Sequence, residues 1–541
     1  MAKNNEASWK SASYNKSDYF DLPNPGLESY FAKTDRGNST EFRTTFFKGK
    51  KLEEVLAMWR PTLSSVGREW PTLLEFENDL ASKVGPLSIQ KPLAERLDDV
   101  KAYYDDILLS SKPIPETAIS AVVKEWGACR GMHIRSQQRT VDEMKKSTSS
   151  GNPFFVKRRL VVDKTLPVSL EIRDPEKVVQ ILKGQEWLAS AILGWRGQEG
   201  GPTDEDVKQR VIWMFPFGVN IEELQMYQPA IELAQRYELV PAWVGMESVD
   251  KRITKLFDTK GRKDLVICTD FKRFDQHFNS DMQLAAKTII SAILAPTSDN
   301  RRWISDVFPV KYMIPLILNG RTIYTGKHGM ASGSGGTNFD ETIVHRSLQY
   351  EVAQSIGSRL NPNSMCLGDD GILSAPGLQV KDVIDVYSSH GQVCNPDKQY
   401  ASTQDCTYLR RWHHDRYRID DVCVGVYSTY RALGRLCEQE RYYDPEVWGP
   451  KMVALRQLSI LNNCEYHPLK EQFVNFCMKG DKYRLGIDIP GFLDNIGRVA
   501  QDAIDLIPDF LGYTQSLGGD VNDAYGIENW WIVKYLKSKS K

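Results

Sequence analysis

Two short segments of the chain, LVICTD at residues 265–270 and MCLGDDGIL at residues 365–373, decide how its centre folds. The first is an apolar, partly β-branched run, typical of a buried strand that ends at Asp270. The second has two apolar arms around Gly-Asp-Asp-Gly, which predicts a hairpin whose tight turn carries Asp369 and Asp370. If the two strands are neighbours, three carboxylates lie together. Their repulsion favours a bound cation that prefers hard oxygen ligands, such as Mg²⁺.

The segments between and after these strands add to the pattern. Residues 329–338 form a glycine-rich loop, GMASGSGGTN, and a helical pattern follows it. The loop lacks the Lys and Ser/Thr of a Walker loop and the last Gly of a dinucleotide fingerprint. It is therefore predicted to be a flexible loop at a helix N-terminus, which favours an anionic backbone. The runs NPDK at residues 395–398 and YLRRW at residues 408–412 come next.

The order of these segments resembles the palm of viral RNA-dependent RNA polymerases. In chain order the matches are TSSGNPF at residues 148–154 for motif G, where template RNA enters, KQRVI at 208–212 for motif F, Asp270 and Asp275 for motif A, residues 332–337 for motif B, residues 368–370 for motif C, Lys398 for motif D and LRRW at 409–412 for motif E. The strings DFKRFD at 270–275 and SGSGGTN at 332–338 look closest to the polymerases of picobirnaviruses, which are small bisegmented double-stranded RNA viruses.

The resemblance implies an α+β right-hand polymerase with fingers, palm and thumb, an antiparallel palm sheet and a mostly helical thumb. The implied domains are an N-terminal arm able to bridge fingers and thumb at 1–65, fingers at 66–226, palm with motif A at 227–295, a fingers insertion at 296–328, palm with motifs B to E at 329–412, and thumb with a C-terminal tail at 413–541.

The resemblance also implies a role for each site residue. Asp270, Asp369 and Asp370 would bind two Mg²⁺ ions, for which Mn²⁺ can substitute, and Lys398 would be the general acid for pyrophosphate. The implied nucleotide-binding residues are Lys208, Arg210, Asp275, Ser332, Gly333, Thr337, Asn338 and Glu341. The implied RNA-binding residues are Ser149, Ser150, Gly151, Arg410 and Arg411. Strand alternation independently predicts that Lys208 and Arg210 share one face.

Motif B departs from the common pattern at the position that reads the ribose. Many positive-strand RNA polymerases have an Asn nine residues after the loop's Ser, where this chain has Glu341. The chemistry of the side chains favours Asn338 as the residue that reads the ribose, because an amide can both donate and accept hydrogen bonds. A second carboxylate beside Asp275 would add electrostatic repulsion. On a helix starting near Thr337, Asn338 and Glu341 share a face and Asp340 is rotated away. The choice between Asn338 and Glu341 stays open.

Length and composition bound the class of protein. A chain of 541 residues is too long for one compact core, and 41% apolar with 10% aromatic residues is typical of a soluble globular protein. No run approaches the roughly 18 apolar residues of a membrane span, and the start lacks the apolar core of a signal peptide. Nine Cys without a Cys-x-x-Cys pair indicate free, mostly buried thiols in a reducing compartment. We expect the host cytoplasm, inside a virion or core particle.

The formal net charge of -1 argues against an exposed basic stripe for RNA, but not against an enclosed channel lined with basic residues. The expected partners are the RNA template and product, NTPs and the viral capsid protein, with no membrane and a monomeric chain. The expected function is template-directed nucleotidyl transfer in transcription and replication of a viral, double-stranded RNA genome.

Two other functions stay open. A reverse transcriptase-like polymerase shares the carboxylates but would normally place a bulky residue near the ribose, where this chain has Asp275. A catalytically inactive virion protein that binds RNA or capsid is the second alternative, and the intact Asp270, Asp369 and Asp370 speak against it.

Local signals predict several helices outside the motifs. Residues 280–283 read as a capping box before a helix that stops ahead of Pro296. Residues 379–389 predict a short amphipathic helix, and residues 453–461 and 469–478 predict two thumb helices. The Lys-rich end at 534–541 is expected to be a solvated tail.

Overall fold

The computed structural model describes residues 9–173, 177–444, 446–504 and 526–541. Residues 1–8 of the predicted arm and 505–525 of the predicted thumb lie outside these ranges. Across the described helices, none is long and apolar enough to cross a membrane.

Helices and strands are interspersed along the chain. Before motif A they are β1 Lys10–Ala12, α1 Lys16–Tyr19, α2 Pro25–Arg36, β2 Phe42–Arg43, α3 Leu52–Leu63, α4 Pro71–Ala81, α5 Leu97–Asp105, α6 Glu116–Glu125, α7 Gln137–Asp142, α8 Val162–Thr165, β3 Val168–Arg173, β4 Lys177–Leu182, β5 Gln185–Leu188, β6 Ala191–Gln198, β7 Lys208–Met214, α9 Phe217–Arg236, α10 Pro241–Val244 and α11 Met246–Thr259. From motif A onward they are β8 Val266–Thr269, β9 Phe271–Lys272, α12 Ser280–Ile293, α13 Ser298–Arg302, β10 Leu316–Ile317, β11 Ile323–Thr325, α14 Thr337–Ser355, β12 Met365–Leu367, β13 Asp370–Leu373, α15 Val380–Ser389, β14 Val393–Cys394, β15 Tyr400–Ser402, β16 Asp405–Tyr408, β17 Arg411–His414, β18 Val426–Tyr427, α16 Thr429–Cys437, β19 Glu438–Gln439, α17 Pro450–Asn462, α18 Lys470–Lys479, α19 Ile496–Ala503 and α20 Trp531–Lys539.

A four-stranded antiparallel sheet in the order β12-β13-β8-β15 contains both segments predicted as central strands. Its middle strands are buried because they are apolar on both faces; Ile267 and Ile372 have no exposed surface. Pairing of Leu367 with Asp370 leaves Gly368 and Asp369 as a two-residue turn. Gly368 has φ +58, a left-handed value that favours glycine. The antiparallel palm sheet and its hairpin are confirmed.

A five-stranded sheet in the order β1-β11-β10-β6-β7 forms the region predicted as fingers. Strands β10 and β11, from the predicted insertion at 296–328, pair with β6 and with each other. In β7, Lys208 and Arg210 are exposed, whereas Val211 and Trp213 are buried on the other face. The shared face of the two basic residues is therefore present, although the strand begins at Lys208 and residues 204–206 form a 3₁₀ turn.

The described residues contain two large hydrophobic cores. The first joins the fingers sheet to α9, α12 and α14 beneath the palm. The second joins α16 to α20 with α3 and α4 from the N-terminal part of the chain. Helix α4 packs Leu73, Phe76 and Leu80 into this second core. Residues 71–81, which the sequence placed in the fingers, therefore pack with helices of the predicted thumb. Helical periodicity shows an apolar face but not its partner.

Two local predictions also need correction. The N-cap of α12 is Asn279, whose Oδ1 accepts hydrogen bonds from the amides of Asp281 and Met282, one residue ahead of the predicted capping box. The Lys-rich end is largely helix α20, which buries Ile532, Val533 and Leu536 in the thumb core. The aromatic and aliphatic residues between the lysines supply enough apolar surface to hold this end of the chain.

The N-terminal segment contacts both sides of the molecule. Strand β1 pairs with β11 of the fingers sheet, and β2 pairs with β19, next to thumb helix α16. In the second pairing Glu438 is 1% exposed, with Arg43 Nε 4.0 Å from Oε1. Burial, followed by the neighbouring Glu41, raises the pKa of Glu438 to about 9. The folded chain therefore favours the protonated form of this carboxyl group.

The first testable prediction concerns this carboxyl group. A raised pKa means that the folded state binds the proton of Glu438 more tightly than the unfolded state does. The stability that comes from this proton is complete below the unfolded pKa near 4.5 and is lost as pH rises toward 9. The glutamine of Glu438→Gln cannot ionise. Relative to wild type, the free energy of unfolding of this variant should therefore rise by about 1–2 kcal/mol between pH 5 and pH 9. Denaturant unfolding at both pH values measures this. The exposed control Glu53→Gln on α3 should show no such gain, and an equal gain there would contradict the assignment.

Candidate active site

Sheet register brings the carboxylates of motifs A and C to one edge. Thr269 at the end of β8 pairs with Gly371 of the antiparallel strand β13, so Asp270, just after β8, and Asp370, the first residue of β13, lie at the same end of the sheet. Asp369 occupies the adjoining hairpin turn. The three predicted metal ligands therefore lie at one end of the sheet, as the two strand patterns implied.

A second hairpin braces Asp370. The backbone N–H of Leu409 donates to Asp370 Oδ2 at 2.8 Å. Leu409 and Arg410 form the turn between β16 and β17, with φ values of 51° and 58°. Two left-handed residues are typical of a tight hairpin turn, and here the turn points an amide at the carboxylate. Motif E thus fixes the orientation of a motif C side chain.

The local electrostatics disfavour three bare negative charges. Burial and then Asp369 raise the pKa of Asp370 to about 7. Removal from bulk water and then Asp275 raise the pKa of Asp369. Removal from water also raises the pKa of Asp270, and the positive charges of Lys398, Lys83 and Lys208 oppose that rise. A cation would relieve this repulsion, so the donor set fits a divalent metal with hard oxygen ligands.

The fit does not depend on a closed protein cage. Within the described ranges, no group of three or more His, Cys, Asp or Glu side chains is arranged to hold a metal ion. Mg²⁺ is usually bound by one or two carboxylates together with substrate phosphates and water. Surrounding protein atoms desolvate the carboxyl groups of Asp270 and Asp369, but both residues keep enough exposed surface for such sharing.

Gln399 supports Asp270 and was not anticipated from the sequence. Its Nε2 donates to the Asp270 carbonyl at 2.7 Å, and its Oε1 accepts from the Asp270 amide at 3.1 Å. A lone Gln carries no sequence signal for such a role, because its partner is 129 positions away. Next to it, Lys398 is exposed on a 3₁₀ turn.

Asp275, Arg210 and Glu341 form a charged cluster beside the carboxylates. Arg210 Nη2 lies 3.1 Å from Asp275 Oδ2. Glu341 is 5% exposed, and burial followed by Asp275 raises its pKa well above the usual value. Asn338 is exposed, and its Oδ1 accepts from Trp243 Nε1 at 2.7 Å. The tertiary structure therefore places Glu341 with Asp275, whereas Asn338 is held by Trp243.

Asp340 points away from this cluster, as its helical position predicted. Tyr227 and Tyr312 donate hydroxyl hydrogen bonds to it at 2.8 and 2.7 Å. Lys311 Nζ lies 3.0 Å from Asp340 Oδ2, and neither side chain is exposed. Asp340 thus anchors the start of α14 in the core.

The motif B loop is tied to β7, which carries Arg210. Ser332 Oγ accepts from the Trp213 amide at 3.2 Å and donates to the Val211 carbonyl at 3.3 Å. A Cβ on Gly333 would come within 1.6 Å of the Trp213 carbonyl oxygen, which explains the glycine. Thr337 Oγ1 donates to the Ala331 carbonyl at 2.9 Å. These residues shape the loop, and their contact with nucleotide stays a prediction.

The predicted RNA-binding residues differ in availability. Ser150 and Gly151 are buried, and their amides already donate to Val156 O and Ser149 Oγ. Only Ser149 of these three is partly exposed. Ser150 and Gly151 therefore shape the motif G loop, and RNA contact by the loop stays a prediction that now centres on Ser149.

The two arginines of motif E also face different surroundings. Arg410 is exposed, with Nη1 3.6 Å from Glu199. Arg411 donates to the thumb residue Asn463, to its carbonyl and its Oδ1, each at 3.2 Å, and lies over Tyr427. Arg411 thus contacts the predicted thumb, whereas Arg410 lies at the surface beside Glu199. Contact of Arg410 and Arg411 with RNA stays a prediction.

Comparison with known proteins assigns the chain to a family. Residues 121–420, more than half of the chain, match the family of viral RNA-dependent RNA polymerases. The chain belongs to that family. A potential RNA-dependent RNA polymerase of Human picobirnavirus (strain Human/Thailand/Hy005102/-) is 57% identical over 527 residues, covering 97% of this polymerase and 98% of that protein.

Solved structures agree with this assignment. The crystal structure of an RNA-dependent RNA polymerase from a human picobirnavirus is 56% identical with a TM-score of 0.92. That of its insertion loop deletion mutant is 54% identical with a TM-score of 0.91. Each comparison covers 97% of this polymerase and 98% of the other chain. The polymerase therefore has the right-hand fold and is an RNA-directed RNA polymerase, which binds RNA and NTPs.

The nine cysteines were also predicted correctly. All nine are free and buried.

Proposed function

We propose that the polymerase adds ribonucleotides to an RNA 3′ end by a two-metal mechanism at Asp270, Asp369 and Asp370, in transcription and replication of a viral double-stranded RNA genome. The observation that carries the proposal is the register of β8, β13 and the motif C turn, which brings these carboxylates together. The human picobirnavirus relative supports the genome type.

Asp270 and Asp369 would hold two Mg²⁺ ions, and Asp370 would be a secondary ligand. When bound, such ions lower the pKa of the attacking 3′-hydroxyl and offset the charge of the leaving pyrophosphate. The protein's part is to hold the carboxylates in place. Gln399 fixes the backbone that carries the Asp270 side chain, and the Leu409 amide donates to the Asp370 carboxylate itself.

The cations around the carboxylates would bind the rest of the nucleotide. Lys208 and Arg210 share the exposed face of β7 and would hold the triphosphate. Arg210 pairs with Asp275 in the free enzyme, so a bound triphosphate would compete with that carboxylate for the guanidinium group. Lys398, exposed near Asp270, would give a proton to pyrophosphate. Lys83, two residues after α4, is a further cation that lowers the pKa of Asp270 and that the motifs did not indicate; it pairs with Asp79 in the free enzyme.

Sequence information would come from base pairing with the template, since protein contacts to RNA backbone and shape carry none. We also propose that the polymerase acts as a monomer in the host cytoplasm, within a virion or core particle built by the viral capsid protein. The nine free, buried thiols support a reducing compartment.

The test is a primer-independent assay with purified protein, a defined single-stranded RNA template and labelled NTPs, with and without Mg²⁺. We expect full-length RNA complementary to the template, and only with the metal. Preferred use of dNTPs would instead support the reverse transcriptase-like alternative. No product under any condition, from protein that still binds RNA, would support the inactive virion protein.

A further inference from the structure

Glu223 is a buried carboxylate outside the polymerase motifs. It lies in the second turn of α9 and has no exposed surface. The Ser334 hydroxyl donates to its Oε2, and the Gly335 amide donates to its Oε1 at 3.2 Å. The Ser334 Oγ in turn accepts from the Gly336 amide at 3.0 Å. One side chain of α9 therefore holds the central residues of the motif B loop.

Asn220, one turn earlier on α9, extends this contact. Its Nδ2 donates to Glu223 Oε1 at 3.1 Å and to the Gly333 carbonyl at 3.2 Å. Its Oδ1 accepts from Arg158 Nη2 at 2.8 Å. Because both amide hydrogens and the oxygen are used, the amide has one orientation. Arg158 belongs to the basic segment that follows the motif G loop, so this segment is linked to the motif B loop through two side chains.

Packing leaves the loop little freedom to move by itself. A Cβ on Gly336 would lie 2.3 Å from Cζ of Tyr227, and one on Gly335 would lie 3.0 Å from Leu224. The loop thus lies directly on α9. On its other side, Ser332 is hydrogen bonded to β7, the strand of Arg210. A shift of the loop relative to α9 would therefore also displace β7 and its basic face.

We propose that Glu223 is a positioning residue for nucleotide binding, holding the motif B loop in the one arrangement that aligns β7 and the start of α14 around the incoming NTP. This inference rests on the proposed nucleotide site. The observation that supports the inference is that three hydrogen-bond donors converge on one fully buried carboxylate. A solvated side chain, or one that only filled space, would not be expected to have these three donors. Burial raises the pKa of Glu223, and the positive charge of Lys311 together with these three donors opposes that rise, so the buried carboxyl group is tied to the loop.

The neighbouring residue supplies a matched control. Glu222 is equally buried on the same helix, but its carboxylate lies on another side, with Arg302 Nη1 3.8 Å from Oε1. Its backbone carbonyl accepts from Trp303 Nε1 at 2.8 Å. Glu222→Gln therefore reports the general cost of changing a buried glutamate on α9 without touching the motif B loop.

The test compares Glu223→Gln, Ser334→Ala, their double mutant and Glu222→Gln in steady-state NTP incorporation, with melting temperature and template RNA affinity measured alongside. Glutamine keeps the shape but turns one acceptor into a donor that opposes Ser334 or Gly335. We expect Glu223→Gln to raise the KM for NTP about tenfold, with a smaller change in kcat and RNA affinity within about twofold of wild type. Ser334→Ala should raise KM about threefold, and the double mutant should be no worse than Glu223→Gln.

Glu222→Gln should leave the KM unchanged. An unchanged KM in Glu223→Gln, additive effects in the double mutant, or an equal KM rise in Glu222→Gln would overturn the inference. If Glu223→Gln does not fold, Ser334→Ala decides by itself, because it removes only a hydroxyl group, and an unchanged KM there would count against Glu223. Lack of NTP incorporation by the wild-type protein would instead count against the proposed function.

Discussion

Asp369→Ala or Asp270→Ala is expected to reduce nucleotide addition by at least about a thousandfold while RNA binding survives. Both carboxylates lie at the end of the sheet where we propose that the metal ions bind, and alanine offers neither a ligand nor a charge. The two carboxylates repel phosphates when no metal is bound, so their removal should not lower the affinity for RNA. Single-turnover incorporation of labelled NTP, with template affinity measured in parallel, gives both quantities.

A suitable control is Asp385→Ala on α15. Asp385 is exposed and pairs only across the helix surface with Lys381, at 3.1 Å, so its loss should cost little. Retention of even a tenth of wild-type turnover in either catalytic-site variant would rule out the assignment of that carboxylate as a main metal ligand. Loss of RNA binding together with turnover would point to misfolding instead.

Asp275→Ala is expected to narrow the preference for NTP over dNTP by roughly ten- to hundredfold. The side chain is 12% exposed and is held toward the site by Arg210. Loss of one hydrogen bond to a charged acceptor costs about 1.5–3 kcal/mol, which gives this range. The measurement is the ratio of kcat/KM values for NTP and dNTP on one template. An unchanged ratio would mean that another residue selects the sugar.

The same assay decides between the two candidates in motif B. Glu341 lies in the Asp275 cluster, whereas the Asn338 carbonyl oxygen is taken by Trp243. Glu341→Gln should therefore narrow the ratio more than Asn338→Ala. The reverse order would show that Asn338 leaves Trp243 when nucleotide binds, and small effects from both would leave Asp275 as the sole sugar reader.

Much of the catalytic centre could be predicted from local sequence because its elements are short and local rules govern them. An apolar β-branched run gives a buried strand, and Gly-Asp-Asp between two such arms gives a hairpin turn at Gly368, where a left-handed backbone requires glycine. Helical spacing likewise placed Asp340 away from the site. The Asn279 cap was misplaced by one residue because Asn and Ser compete for the same position.

What the sequence by itself determined is thus the set of carboxylates, their strands and the order of the motifs. Tertiary structure alone decided which groups are hydrogen bonded to these residues and to motif B. Gln399 is hydrogen bonded to Asp270 and the Leu409 amide to Asp370, whereas in motif B Trp243 is hydrogen bonded to Asn338 and Glu223 to the loop. Tertiary structure also decided that α4 packs with the thumb. The physical reason is that hydrogen-bond partners and packing faces are chosen across separations of 39 to 129 positions in these four pairs, where periodicity and turn chemistry carry no information.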